Sequence, residues 1–198
     1  MRDDSSDTPP PKPMTPLYDG VPGERVEVAP GKGGTFRVWL EGSFPTSWFG
    51  ALSLGLARAN IGIVSGVARR TGPRRWTTAI VVRPQSGAAQ PERVDYLALA
   101  HQQYPLGTAV PIEIESFAIE PDLKTEALLL EVKGPDRIGF LGSLLDRLAG
   151  LALFPEDMTI ETQDGKVSDR FALKALGGHR PSAEAQEALA VLLEDLRG

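Results

Sequence analysis

The sequence of 198 residues contains no cysteine, which excludes a disulfide framework and thiol chemistry. Its only histidines are His101 and His179, so a zinc site is not expected. No apolar run approaches the roughly 20 residues that a membrane span needs. The net charge of -5 gives no general attraction for nucleic acid or anionic lipid. We therefore expect no metal, no cofactor, no membrane association and no nucleic-acid partner.

The amino-terminal segment lacks the apolar stretch of a secretory signal. It reads MRDDSSDTPPPKPMTP and is acidic, so we expect a cytoplasmic protein. Residues 1–20 are rich in Asp, Ser and Pro and offer almost nothing to bury, which predicts a disordered arm. The whole chain is 41% hydrophobic and 24% charged, a composition typical of a globular protein.

After the arm, the sequence repeats itself with a displacement of 92 residues. The displacement aligns Gly50 with Gly142 and Leu52 with Leu144, and the register needs no gap from Leu40 to Leu99. Internal similarity at a fixed period indicates repeated structural units. We therefore predict two units, residues 21–108 and residues 109–198.

Each unit carries the pattern β-β-α-β-β-α. Alternating apolar and polar residues predict the strands, and apolar residues at helical spacing predict the helices. The dipeptide Asp164-Gly165 between two alternating segments indicates a hairpin turn. The segments in chain order are ERVEVAP, TFRVWLEG, a helix from Trp48, NIGIVSGVARR, RRWTTAIVVRP and PERVDYLALAHQQY, then PIEIESFAI, EALLLEVKG, a helix from Phe140, DMTIETQ, KVSDRFALKA and SAEAQEALAVLLEDL.

This order predicts an α+β fold made of two ferredoxin-like α/β sandwich repeats. In each repeat, helices pack on one face of a mainly antiparallel sheet. A single unit of this size buries little surface by itself. We therefore expect the units to pack side by side, with sheets joined or helices facing. The residues expected to be buried are Trp39, Trp48, Phe49 and Leu52.

The stretch EVKGPDRIGFLGSLLDRLAG, residues 131–150, places an acid and a base in a turn at the start of a helix. Gly139 lets the backbone approach a ligand, and the first helical amides favour a carboxylate. Asp136 is suited to bind an ammonium group, and Arg137 to bind a carboxylate. The alternative is structural, with Asp136 capping the helix and Arg137 in solvent. The corresponding turn, residues 42–48, has no such charged pair.

The segments LEVKGPDRIGFLGSLLDRLAGLAL and MTIETQDGKVSDRFALKA resemble an ACT domain. In that family a strand leads to an Asp-Arg-Pro-Gly-Leu-Leu turn, and a hairpin ends near Asp-x-Phe. Asp136-Arg137-Ile138-Gly139-Phe140-Leu141 and Asp169-Arg170-Phe171 take these places here. The sequence further resembles the tandem ACT modules at the end of bacterial uridylyltransferase/uridylyl-removing enzymes. We expect the enzymatic part of that resemblance not to apply.

The resemblance implies a stand-alone tandem ACT regulatory protein without catalysis. Such modules hold amino acids between the turn of one module and the strands of its neighbour. It also implies a homo-oligomer and an enzyme or regulator as partner. The alternatives are a purely structural dimerisation module and a ferredoxin-like RNA-binding module using the arginines of residues 68–76. The ligand-binding residues predicted are Gly134, Asp136, Arg137, Ile138, Gly139, Phe140 and Leu141.

Overall fold

The computed structural model describes residues 23–103 and 110–198. The predicted arm, residues 1–20, and the boundary predicted between residues 108 and 109 lie outside the described residues. The strands are β1 Arg25–Pro30, β2 Phe36–Ser43, β3 Ile61–Arg70, β4 Arg75–Pro84, β5 Ser116–Pro121, β6 Leu128–Pro135, β7 Leu153–Gln163 and β8 Lys166–Ala175. The helices are α1 Trp48–Arg58, α2 Tyr96–His101, α3 Phe140–Gly150 and α4 Ala183–Asp195.

All the strands named above form one antiparallel sheet in the order β1-β2-β4-β3-β7-β8-β6-β5. Strands β3 and β7 join the two halves, with pairs running from Ser65↔Glu161 to Arg69↔Asp157. Helices α1 and α3 pack against each other across the same junction. The prediction of an α+β fold with side-by-side packing is confirmed, and the architecture is compatible with two ferredoxin-like repeats.

The bounds of several elements recur at the displacement seen in the sequence. Strand β2 and helix α1 become β6 and α3 when 92 is added to each residue number. In the hairpins the displacement changes, because five residues separate the paired Arg70 and Trp76 but four separate the paired Thr162 and Val167. The gapless register from Leu40 to Leu99 is therefore wrong at this point, and β4 matches β8 with a displacement of 91.

One face of the sheet supplies most of the core. Trp48, Phe49 and Leu52 of α1 are buried there, as predicted. Trp39 is 37% exposed, so the prediction that it is buried is wrong. Strand β2 alternates, and because Val38 and Leu40 face the core, the residue between them faces away. The guanidinium of Arg37 lies over the Trp39 ring, 5.4 Å from its centroid.

Glycine allows α1 and α3 to approach closely. A Cβ placed on Gly142 would stand 2.8 Å from Leu54 Cγ and 3.0 Å from the Leu54 amide nitrogen. A Cβ on Gly50, the residue 92 positions earlier, would meet Leu145 Cβ at 3.4 Å. The α1–α3 contact is therefore tighter at Gly142 than at Gly50.

Two predicted elements have different bounds. The helix predicted for residues 91–104 begins only at Tyr96, since the Asp95 carboxylate accepts the Ala98 amide at 2.9 Å and caps it there. The opening strand of the second unit begins at Ser116 instead of Pro111. Before it, the Ile114 amide donates to the Leu196 carbonyl at 2.9 Å. Within residues 23–103 and 110–198, no helix has the length and apolarity required to cross a membrane.

Candidate functional site

The turn between β6 and α3 ends at Gly139, the residue immediately before the helix. Gly139 has φ of +85° and precedes α3 without a side-chain cap. The interpretation of Asp136 as the helix cap is therefore wrong. The Asp136 amide instead donates to the Gly165 carbonyl at 2.8 Å, which ties this turn to the hairpin turn between β7 and β8.

A cavity of about 680 Å³ lies beside this turn, at the junction of the two halves. The second half contributes Asp136 to Gly142 and the end of the β7–β8 hairpin. The first half contributes the end of α1 and the start of β3. It also contributes Arg83, near the end of β4, and Gln85, just after that strand. The cavity is thus formed by the turn of one unit and the strands of the other.

The predicted site residues fall into two groups. Six of them line the cavity: Asp136, Arg137, Ile138, Gly139, Phe140 and Leu141. Gly134 lies in β6 and outside the lining, where a Cβ would stand 2.9 Å from the Glu113 carbonyl oxygen. Gly134 therefore serves the close passage of the chain before β5.

Charges of both signs surround the cavity. Partial burial raises the pKa of the Asp136 carboxyl, and the nearby Arg83 guanidinium acts in the opposite direction. Arg137 is directed to the outside, because its Nη2 lies 3.5 Å from Glu113 Oε2 and its side chain is largely exposed. The cation that acts on the Asp136 carboxyl is Arg83, which lines the same cavity and which sequence reasoning missed because it comes from the other half of the chain.

The floor of the cavity holds a second carboxylate. Asp169 is 1% exposed, and its Oδ1 accepts the Glu161 amide at 3.2 Å. Among the described residues, its Oδ2 and the buried Thr162 Oγ1 have no hydrogen-bond partner. Burial is the main cause that raises the pKa of Asp169 to about 7; the Glu161 amide opposes the shift, and the charges of Asp136 and Glu161 add to it. The signal in the sequence was an aspartate on the apolar face of β8, between Val167 and Phe171.

A smaller cavity, about 360 Å³, lies in the corresponding place beside the β2–α1 turn. Its turn contributes Pro45, Thr46 and Ser47, and the wall contains Trp48 and Trp76, whose ring centroids are 5.5 Å apart. The counterparts of the two acids are neutral here. Phe44 takes the place of Asp136, and Thr78, which pairs with Leu40 as Asp169 pairs with Val132, takes the place of Asp169.

The arginines of the β3–β4 hairpin make ion pairs with acidic residues. Arg69 Nε lies 2.7 Å from Asp157 Oδ2, and Arg70 binds Glu156. Both acids belong to β7, so these pairs link the two halves. Arg75 binds Glu41 on the neighbouring β2. Three of the four arginines considered for RNA binding thus form ion pairs with acidic residues of the same chain.

Similarity to known proteins is found in solved structures, without a match to a family model or a curated protein. Among solved structures, the chain is similar to the aspartate kinase from Synechocystis, at 17% sequence identity and a TM-score of 0.44. The match covers 82% of this chain and 27% of the kinase chain.

Proposed function

We propose that this protein is a non-catalytic regulatory module of the ACT type, which binds an amino acid in the cavity at the junction of its halves. The observation that carries the proposal is that an acid, Asp136, and a base from the other half, Arg83, line the same cavity beside a helix start that lacks a side-chain cap. An amino acid at neutral pH carries one charge of each sign, and the cavity wall offers a partner for both.

Each end of the ligand has a defined partner in this proposal. The ammonium group binds the Asp136 carboxylate. The carboxylate binds the Arg83 guanidinium and the amides at the start of α3, where the helix dipole favours negative charge. Gly139 allows the ligand to approach the backbone, because a side chain there would both strain a left-handed residue and occupy space near Val110 and Ala57.

Regulation would follow from the position of the cavity. A ligand that contacts the turn of one half and the strands of the other stabilises one arrangement of the two halves over others. It shifts the population only by its differential affinity for those arrangements. A partner enzyme or regulator that binds one arrangement would then respond to the amino acid.

A thermal-shift screen of the twenty amino acids tests the proposal. A ligand that binds only the folded state raises the melting temperature. Calorimetric titration of the best ligand into Asp136→Asn and Arg83→Gln should show a loss of about 1.5–3 kcal/mol each. The matched control is Ser47→Ala, which changes the corresponding turn of the other cavity and should bind normally. Binding that is lost in Ser47→Ala but kept in Asp136→Asn would contradict the choice of site, and no binding by any amino acid would favour the structural dimerisation module.

A further inference from the structure

Burial of the Asp169 carboxylate is costly for the fold, and only one of its two oxygens has a hydrogen-bond partner among the described residues. A carboxylate enclosed by protein needs partners for both oxygens, and one that lacks them carries a desolvation penalty. Here Oδ1 accepts a hydrogen bond from the Glu161 amide, and Oδ2 accepts none from the described residues. Thr162 Oγ1, on the adjacent strand, is buried in the same unpartnered state, and both residues line the cavity.

The first half of the chain shows that the fold does not need an acid at this place. Thr78 occupies the corresponding position in β4 and is 5% exposed. Four residues before the helix, the first half has Phe44 where the second half has Asp136. The same architecture is therefore built with neutral residues at both positions, and the two acids are specific to the larger cavity.

The groups around Asp169 determine which ligand group can reach it. Asp136 from the β6–α3 turn and Glu161 from β7 are acids that act on its ionisation. Asp164, Arg83 and Arg137 also line the cavity, and α3 contributes the apolar Phe140 and Leu141. A carboxylate oxygen accepts hydrogen bonds and donates none, and Thr162 Oγ1 is able to accept as well. A primary ammonium group carries a positive charge and several N–H donors, so it suits this set of acceptors.

We propose that Asp169 is a ligand-binding residue, whose Oδ2 accepts a hydrogen bond from a primary ammonium group that lies between Asp169 and Asp136, with Thr162 Oγ1 as a further acceptor. The inference rests on the proposed function, because it deepens the recognition of the ligand's ammonium group. A carboxyl group that gains a cation partner loses its proton more readily. Binding near neutral pH therefore expels the proton from Asp169 to solvent.

Carboxyl NMR of the wild-type protein provides the direct test. The ¹³Cγ shift of Asp169 is followed against pH with ethylammonium chloride, with glycine, and with tetramethylammonium chloride, which carries a charge but no N–H donor. We expect the titration midpoint to fall with ethylammonium or glycine, by about one pH unit at roughly tenfold excess over the dissociation constant. We expect tetramethylammonium at equal ionic strength to leave it unchanged. A midpoint unmoved by both amines, or moved equally by tetramethylammonium, overturns the proposal.

Variants separate this inference from the proposed function. Asp169→Asn keeps the shape and removes the charge, and should weaken binding of glycine or another amino acid found in the screen by at least about tenfold. Asp195→Asn, at the exposed carboxyl end of α4 and outside the cavity lining, removes the same charge and should bind nearly as the wild type does. An amino acid that binds Asp169→Asn with full affinity contradicts the role of Asp169 and leaves the proposed function standing. A midpoint that falls with ethylammonium when no amino acid binds supports Asp169 as an ammonium site and refutes the amino-acid function.

Discussion

Leu54 of α1 lies against the backbone of Gly142 in α3, so that a Cβ on residue 142 would stand 2.8 Å from Leu54 Cγ. We expect Gly142→Ala to lower the free energy of unfolding by about 1–3 kcal/mol, because the Leu54 backbone nitrogen, 3.0 Å from that Cβ, prevents simple rotation of a side chain from relieving the clash. Urea unfolding measures the change.

Gly50→Ala is the matched control for this substitution. Its Cβ would meet Leu145 Cβ at an ordinary contact distance of 3.4 Å. Alanine favours helix over glycine by up to about 1 kcal/mol, so we expect Gly50→Ala to be neutral or stabilising. Equal effects of the two substitutions would show that the tight contact at Gly142 does not control the helix pair.

Asp169 should make the stability depend on pH in an unusual direction. Its pKa is raised to about 7 in the folded protein, whereas an unfolded aspartate titrates near pH 3.9. Between these values the folded state binds more protons, so the contribution of Asp169 to stability is present at acid pH and is lost as the pH rises through about 7. Other carboxylates also titrate, so the comparison must be made with a variant.

We expect Asp169→Asn to gain free energy of unfolding relative to the wild type when both are moved from about pH 5 to about pH 8. Asp164→Asn, an exposed residue of the same hairpin, should show a much smaller relative change. Urea unfolding of the three proteins at several pH values tests this. A wild-type minus Asp169→Asn difference that is constant with pH would mean that Asp169 keeps an ordinary pKa.

The two ion pairs between β3 and β7 should differ in strength. The side chains of Arg70 and Glu156 are each about a third exposed, at 27% and 30%, whereas those of Arg69 and Asp157 are 70% and 41% exposed. Arg70 also donates to the Gly72 and Pro73 carbonyls of the hairpin turn. We expect Glu156→Gln to lower the free energy of unfolding by about 1 kcal/mol, and Asp157→Asn by less.

Chemical unfolding at low and high salt distinguishes the two pairs. Salt screens exposed charges more strongly than partly buried ones. The effect of Asp157→Asn should therefore shrink further at high salt, while most of the effect of Glu156→Gln remains. A larger cost for Asp157→Asn than for Glu156→Gln would contradict this ranking.

We expect the chain to form a homo-oligomer through an edge of its sheet. Strand β1 lies at one end of the strand order and pairs only with β2 among the described strands. An unpaired strand edge offers N–H and C=O groups to another chain. Light scattering over a range of concentrations should give at least twice the chain mass of 21.3 kDa. A monomer at every concentration would contradict the expectation.

Local patterns in the sequence were sufficient for most of the fold. Alternation located the strands, the Asp164-Gly165 turn closed its hairpin with positive φ at both residues, and Ser182 capped α4 by accepting the Ala185 amide. Trp39 was misplaced because size and apolarity outweighed the period of its strand. The face of a strand is set by register, and Val38 and Leu40 already fixed that register.

The site was only half visible in the sequence. The turn at Asp136 to Leu141 could be found because its residues are consecutive. Arg83 lines the same cavity but comes from the other half of the chain. No local sequence pattern predicts which distant residues will line one cavity. Asp169 was seen as part of a motif, but its burial depends on the packing of β7 and α3 around it, and that packing is a tertiary property.

The joining of β3 to β7 within one chain has a genetic consequence. A symmetric dimer of identical one-unit chains would carry two identical cavities, since each substitution appears twice. Here the two cavities are encoded by separate codons. Aromatic residues such as Trp48 and Trp76 line one, and the acids Asp136 and Asp169 line the other. Covalent linkage thus allows the residues around one cavity to change without a matching change around the other.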